Sequence, residues 1–364
     1  MLIIYLTIIC VLYAALILFF KKGWNKISFF LNRSNTGQQL PSVSIVVAAK
    51  NEETNLLNLL QSLKNQSDSN FELILINDGS TDRTIEVMHR CSSCFTATIL
   101  NNCQSEGKKR SVQQGIMAAK SELILTTDAD CIPDEKWVET VRHFQADNDC
   151  DLIILPVLMS ASNSWFSHIQ QLEFATLVAS GAGAAGNGSP FLCNAANLAF
   201  KKSAYKRAQA DLHFEKQSGD DIFLLESVKK SGGKIRFLKS GNAAVQTTAC
   251  ANIQEFFRQR KRWAGKATAY SDKLLILTAL TVLLISMSEI ALLVLGVFFG
   301  KYLIACISVF FLKYAVDLIF IQKVKAFFKL KHTIRNSILL SIIYPLYICV
   351  TGIAGIFSKN VKWK

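Results

Sequence analysis

Two carboxylates one residue apart end an apolar run, in Leu123-Ile-Leu-Thr-Thr-Asp-Ala-Asp-Cys-Ile-Pro-Asp134. Asp128 and Asp130 are hard oxygen ligands, suited to Mg²⁺ or Mn²⁺ shared with the phosphates of a substrate. A D-x-D pair alone reads equally as a loop with two solvated acids, so the rest of the chain must decide. Asp78 closes a second apolar run, in Asn77-Asp-Gly-Ser80, and Lys108 follows Gly107. Asp220 and Asp221 follow Gly219, where helix N-capping is the plain alternative to chemistry. Basic and aromatic side chains are concentrated in Gln259-Arg-Lys-Arg262-Trp263.

These groups need elements to hold them. Val43–Ala49 reads as a buried strand, and Lys50-Asn51-Glu52-Glu53 opens a helix with Leu56, Leu57, Leu60 and Leu63 along one side. Phe71–Ile76 is a second strand, followed by a helix to about His89 that Ser80 or Thr81 would cap. Thr96–Leu100 is a short strand, Gly107–Lys120 a basic helix, and Leu123–Thr127 the strand that delivers the acid pair. Asp134 would cap the helix carrying Trp137, Val138, Val141 and Phe144. Alternating strands and helices predict an α/β domain with a doubly wound, mainly parallel sheet, whose strand ends collect ligand-binding groups on one rim. Beyond Leu152–Leu155 the pattern loosens. The small-residue stretch Ser180–Pro190 reads as a loop, either plainly flexible or a place where backbone approaches a ligand.

The chain is 51% hydrophobic, and the excess lies at its two ends. Residues 2–20 are apolar with Lys21 and Lys22 after them, opposite to the charge order of a cleavable signal, so they predict an anchor with the N-terminus outside. Apolar spans at about 274–300, 302–322 and 336–357 follow, the last interrupted by Pro345 and Gly352, which leaves a re-entrant course open. The net charge of +13 gathers beside these spans, a positive-inside pattern that points to membrane rather than nucleic acid and puts the middle of the chain in the cytoplasm. Glu289, Lys313 and Asp317 lie within the spans, the last two at i, i+4. Ten cysteines show no framework spacing, and Cys91-Ser-Ser-Cys94 has no second pair at zinc spacing. The expected order is an anchor (1–21), a basic linker (22–40), a catalytic domain (41–251), an amphipathic interface helix (252–272) and a C-terminal membrane region (273–364).

Taken together, a metal-suited acid pair, a lysine, a second strand-end acid and an acid at a helix start are what transfer from a nucleotide-diphospho-sugar requires. The departing diphosphate gains charge and needs cations, and the acceptor hydroxyl needs a general base. Six pieces in order make the segment from about 43 to 266 resemble family 2 glycosyltransferases of GT-A fold. The resemblance is to the membrane branch with cellulose, hyaluronan and poly-N-acetylglucosamine synthases and ceramide glucosyltransferase. The pieces are Ala49-Lys-Asn51-Glu52, Asn77-Asp78-Gly79-Ser80, Gly107-Lys108 with Gly115 (Gln113 replacing an Asn), Asp128-Ala-Asp130, Gly219-Asp220-Asp221 in place of T-E-D, and Gln259-x-x-Arg262-Trp263.

The resemblance implies an inverting displacement with Asp221 as base and Asp220 as the acid beside it. Asp130, with Asp128, would hold Mg²⁺ or Mn²⁺. Asn51, Glu52, Asp78, Lys108, Asp128, Gln259 and Arg262 would bind the donor, most simply a UDP-sugar, and Asn197 and Trp263 would face the acceptor. The acceptor is expected to be lipid-linked or a membrane-proximal saccharide, in a bacterial-type inner membrane. Competing expectations are a processive polysaccharide synthase and, in a different class, a non-catalytic sugar-nucleotide sensor or assembly subunit. A transporter is disfavoured by too few spans for internal repeats.

Overall fold

The computed structural model describes residues 1–31, 39–102, 107–214, 219–265 and 270–357, with nothing said of the side chains at 353 and 355–357. Most of the expected linker (32–38), Ser218, the end of the expected interface helix (266–269) and the C-terminal lysines 359, 362 and 364 lie outside the described residues.

In chain order the helices are α1 (Leu2–Lys26), α2 (Glu53–Lys64), α3 (Thr84–Ser92), α4 (Lys108–Ala118), α5 (Trp137–Asn148), α6 (Trp165–Gly186), α7 (Lys202–Ala208), α8 (Asp220–Lys230), α9 (Ile253–Ala264), α10 (Lys273–Phe298), α11 (Gly300–Val324) and α12 (Thr333–Phe357). The strands are β1 (Val43–Ala49), β2 (Phe71–Asp78), β3 (Thr96–Asn102), β4 (Leu123–Thr127), β5 (Ile132–Pro133), β6 (Leu152–Ile154), β7 (Val157–Ser160), β8 (Asn197–Lys201), β9 (Ile235–Phe237) and β10 (Val245–Thr248). The chain divides into two compact units, one of 27–158 and 192–248, the other of 1–26, 159–191 and 249–361.

The first unit is built on a seven-stranded sheet of order β3-β2-β1-β4-β8-β6-β9. β1 pairs in parallel with β2 and β4, β2 with β3, and β6 with β9; β8 runs antiparallel between β4 and β6. The result is the mixed, mainly parallel α/β architecture that the alternating pattern predicts. β1 and β4 are buried along their whole length, as expected for strands covered on both faces. Gly115 lets α4 lie on the sheet: a Cβ there would come within 2.6 Å of Val46 Cγ1 and Ile76 Cδ1. Capping differs from expectation in two places. Asp82, not Ser80 or Thr81, accepts the Thr84 amide at 3.0 Å, and Asp134 bonds the Lys136 amide at 3.1 Å ahead of α5. The short acid side chain two residues upstream reaches the first free amide better than the hydroxyls do.

The second unit holds four helices long and apolar enough to cross a membrane: α1, α10, α11 and Thr333–Gly352 of α12. α12 is continuous through Pro345, so the break read into the last span is not one. The ring removes one helical hydrogen bond without ending the helix. Tyr13 of α1 donates to Asp317 Oδ1 at 2.6 Å, and Lys313 Nζ stands 3.5 Å from Asp317 Oδ2, so these charges within the apolar helices form an ion pair packed inside protein.

The main correction concerns Ser180–Pro190. Most of it is the last third of α6, a helix absent from the sequence expectation. Its small residues meet α1: a Cβ on Gly183 would fall 2.2 Å from Phe20 O, and one on Gly23 would fall 1.7 Å from Gly183 O. Asn187 Nδ2 adds a bond to Phe19 O at 2.7 Å. The glycines are there for helix–helix approach, in the manner of small residues at membrane helix contacts.

Candidate active site

A cleft opens at the carboxyl ends of β1 and β4, lined by Lys108, Thr127, Asp128, Ala195, Tyr205, Asp220 and Asp221 among others. The central sequence-derived groups therefore share one rim, as the topology of parallel strands requires. β4 carries Asp128 out of the sheet, while α4 and α8 present Lys108 and the Asp220–Asp221 pair from their first turns. Gly107 (φ 88°) and Gly219 (φ 99°) precede these two helices in the left-handed region, which glycine adopts without strain.

Lys108 Nζ lies 2.5 Å from Asp128 Oδ1, and both side chains are mostly buried (23% and 29% exposed). Burial works against the ammonium charge, but Asp128, Asp220 and Asp130 outweigh it and hold Lys108 well above its ordinary lysine value. Burial, joined by the charge of Asp220, raises the Tyr205 phenol well above its usual range. Burial first, then Asp128 and Asp130, likewise keeps the Cys131 thiol protonated. The cleft is thus a field of carboxylates with a lysine set in it.

Asp221 is fixed at both oxygens: Oδ2 accepts from the Ala195 amide at 3.2 Å and Oδ1 from the Ile222 amide at 2.9 Å. Asp130 is exposed, two residues beyond Asp128. Asp78 is fully buried, with Oδ1 accepting from Ser111 Oγ of α4 at 2.8 Å. Asn51, itself at positive φ, accepts the Thr81 amide at 2.8 Å, and the Glu52 amide donates to Thr84 Oγ1 at 2.9 Å. These two residues join the ends of β1 and β2.

Asn197 departs from expectation. It is fully buried, with Oδ1 accepting from Trp137 Nε1 at 2.9 Å and Nδ2 donating to Pro156 O at 2.7 Å and Ala243 O at 2.9 Å. Its amide is used up in bracing β8, so it does not face an acceptor. A buried amide and an exposed one look alike in a sequence, and only burial separates them. Sequence reading also missed Ser111, Tyr205 and the Ala195 amide; Ser111 alone left a trace, one helical turn after Lys108.

Gln259, Arg262 and Trp263 lie on α9, in the other unit, each partly buried. Among the described residues no group of three His, Cys, Asp or Glu side chains is arranged to hold a metal, and Cys91 and Cys94 are free thiols. A fully protein-made cage is therefore not formed by these residues. Two carboxylates on one short loop, beside a buried Thr127 hydroxyl that has no partner, do suit a divalent ion completed by phosphate oxygens.

The α/β fold with its acidic rim is that of GT-A glycosyltransferases. Within it, residues 44–207 match the family described as Glycosyl transferase family 2. Among relatives, poly-beta-1,6-N-acetyl-D-glucosamine synthase of Staphylococcus epidermidis is 25% identical over 142 residues, covering 39% of this chain and 34% of that protein. Dolichyl-phosphate beta-glucosyltransferase of Trichomonas vaginalis is 36% identical over 100 residues, covering 24% of this chain and 30% of that protein. The chain thus spans well under half the length of these relatives. Among solved structures, mannosyltransferase PcManGT from Pyrobaculum calidifontis, in complex with GDP-Man and Mn²⁺, covers 96% of this chain and 97% of its own at TM-score 0.58. At 15% identity, that likeness speaks to fold.

Proposed function

We propose that this chain is a membrane-bound inverting glycosyltransferase. It would move a hexosyl or N-acetylhexosaminyl group from a nucleotide-diphospho-sugar, most simply UDP-linked, to a hydroxyl of a lipid-linked or membrane-proximal saccharide acceptor. The observation that carries the reading is the convergence of Lys108, Asp128, Asp220 and Asp221 on one cleft at the rim of a family 2 domain.

The acceptor oxygen attacks the anomeric carbon, the bond from that carbon to the diphosphate oxygen breaks, and the acceptor proton passes to Asp221. Two backbone amides hold the Asp221 carboxylate in a fixed orientation for that step. Lys108 lends positive charge toward the leaving diphosphate, and Asp220, close enough to raise its proton affinity, helps keep it charged. A divalent ion, Mg²⁺ or Mn²⁺, supplies charge neutralisation at the diphosphate when bound, and Asp130 with Asp128 would hold it.

Asp78 contributes to donor binding indirectly, by bracing α4 through Ser111. Asn51 and Glu52 do so by joining the ends of β1 and β2. Gln259 and Arg262 as donor contacts and Trp263 as an acceptor contact rest on the Q-x-x-R-W motif. In this reading the segments 41–251, 252–272 and 273–364 are the catalytic, interfacial and membrane parts, although 159–191 packs with the unit of apolar helices. The four apolar helices support an integral membrane protein, and the basic flanks support a cytoplasmic catalytic domain with the N-terminus outside a bacterial-type inner membrane.

A second reading, processive polymer synthesis, is favoured by the similarity to the poly-N-acetylglucosamine synthase; the dolichyl-phosphate glucosyltransferase relative favours single transfer to a lipid. Product size from labelled nucleotide-sugars separates the two: a ladder means a polymer, one lipid-soluble species a single transfer. The central test is Asp221→Asn, expected to abolish transfer while sparing binding of nucleotide-sugar with Mn²⁺. Unchanged turnover would remove Asp221 from the role of base.

A further inference from the structure

Between the motif residues Gln259 and Arg262 lies a second arginine, Arg260, which the motif leaves unspecified. It is the buried residue of α9, 3% exposed. Its guanidinium pairs with Glu173 of α6 through Nη2 and donates through Nη1 to Gln259 Oε1 at 2.6 Å. Its Cζ lies 4.1 Å from the centroid of the Trp263 ring and 4.6 Å from that of Phe256. On the far side, Tyr347 of α12 donates to Glu173 Oε1 at 3.2 Å. All of these residues belong to one compact unit.

A buried ion pair can be mere glue, and replacing such pairs by apolar residues is often tolerated. This one differs in what it touches. Two of the three motif side chains, Gln259 and Trp263, make their contacts with the same planar cation. One fork holds the Gln259 amide oxygen and the other holds Glu173, while a π-face of the guanidinium covers the indole. A lysine at 260 would keep the charge but could not hold both forks and the stacking plane together.

We propose that Arg260 is the positioning residue of the Q-x-x-R-W helix. Its guanidinium fixes the orientation of Gln259 and Trp263, and Glu173 and Tyr347 fix Arg260 in turn. The geometry of the motif thereby depends on α6 and on the last membrane helix. The proposal rests on the reading that Gln259 contributes to donor binding.

The test uses the full-length protein in detergent, with UDP and GDP in the presence of Mn²⁺ as probes and affinity as the readout. Gln259→Ala and Arg260→Lys should each weaken nucleotide affinity by about tenfold, the scale of one lost buried hydrogen bond. The double variant should be no weaker than Gln259→Ala alone, because Arg260 acts through Gln259. Wild-type affinity in Arg260→Lys, or two losses that simply add, overturns the proposal. Unchanged affinity in Gln259→Ala shows that the motif does not serve the donor, and the proposal falls with it; the Asp221→Asn result stands apart from that outcome. Should Arg260→Lys fail to fold, Tyr347→Phe removes only the outermost hydroxyl of the chain of contacts. It is expected to weaken binding in the same direction to a smaller extent, and wild-type affinity there is equally fatal.

Discussion

Lys108→Gln is the most informative single change in the cleft. It keeps the reach and polarity of the side chain and removes its charge. At 2.5 Å, with about a quarter of each side chain exposed, the Lys108–Asp128 pair has a gross attraction of several kcal/mol at an effective dielectric of about 20. Desolvation of both groups offsets most of this, leaving a net loss on the order of 2 kcal/mol, because Asp128 is left mostly buried beside other acids. For a chain of 364 residues that lowers the melting midpoint by roughly 2–3 °C.

The pH dependence has a definite sign. Lys108 is held above its unfolded value, so its stabilisation is fully present below the unfolded lysine pKa of about 10.4 and is lost only as pH rises through the higher folded value. The gap in melting midpoint between wild type and variant should be flat from about pH 6 to pH 9 and narrow only beyond about pH 10. Binding of UDP or GDP with Mn²⁺ should fall by roughly 30-fold, about 2 kcal/mol for a lost charge-assisted contact. Adding Asp128→Asn should restore much of the stability, since no unpaired acid remains, without restoring nucleotide affinity. A thermal shift series read alongside nucleotide titration supplies all of these numbers. Wild-type nucleotide affinity in Lys108→Gln would refute the catalytic part of the reasoning and leave Lys108 as a structural counter-ion to Asp128.

Three further outcomes follow. Asp130→Ala should abolish the dependence of nucleotide binding on Mn²⁺ or Mg²⁺ while leaving the fold intact; a metal titration that matches wild type would take Asp130 out of the metal site. Asn197→Ala strips the buried Trp137 Nε1 and Ala243 O of their Asn197 bonds and leaves Pro156 O with the Val245 amide at 3.2 Å, so it should cost about 3 kcal/mol in stability, seen as lower thermal stability. A raised acceptor KM at unchanged stability would instead restore Asn197 to the acceptor side. Gly183→Val places atoms where Phe20 O already lies and must push α1 and α6 apart. A loss of about 3 kcal/mol or more is expected in detergent unfolding, and a silent substitution would contradict the close helix contact.

Much of the architecture could be read directly from the order of residues. Apolar runs ending in Asp78 and Asp128 made both strands and their ligand-bearing ends visible, because strand period and strand termini are local properties. The spans were legible for the same reason, as hydropathy along one helix needs no partner. Tertiary structure decided what local pattern cannot carry. Ser180–Pro190 looks like a loop until α1 is seen against its glycines, since the use of a missing Cβ depends on what lies across from it. Asn197 has the side chain of a ligand contact, but Trp137 and two distant carbonyls consume it. Asp78 sits at a strand end as expected, yet Ser111 of α4 takes its carboxylate. Arg260, unmarked in the motif, has meaning only through Glu173 and Tyr347, respectively 87 and 87 positions away in sequence. Residue type and spacing determined which groups could carry chemistry. Burial and long-range pairing, which arise only when separate segments pack, decided which of them face the cleft and which hold the others in place.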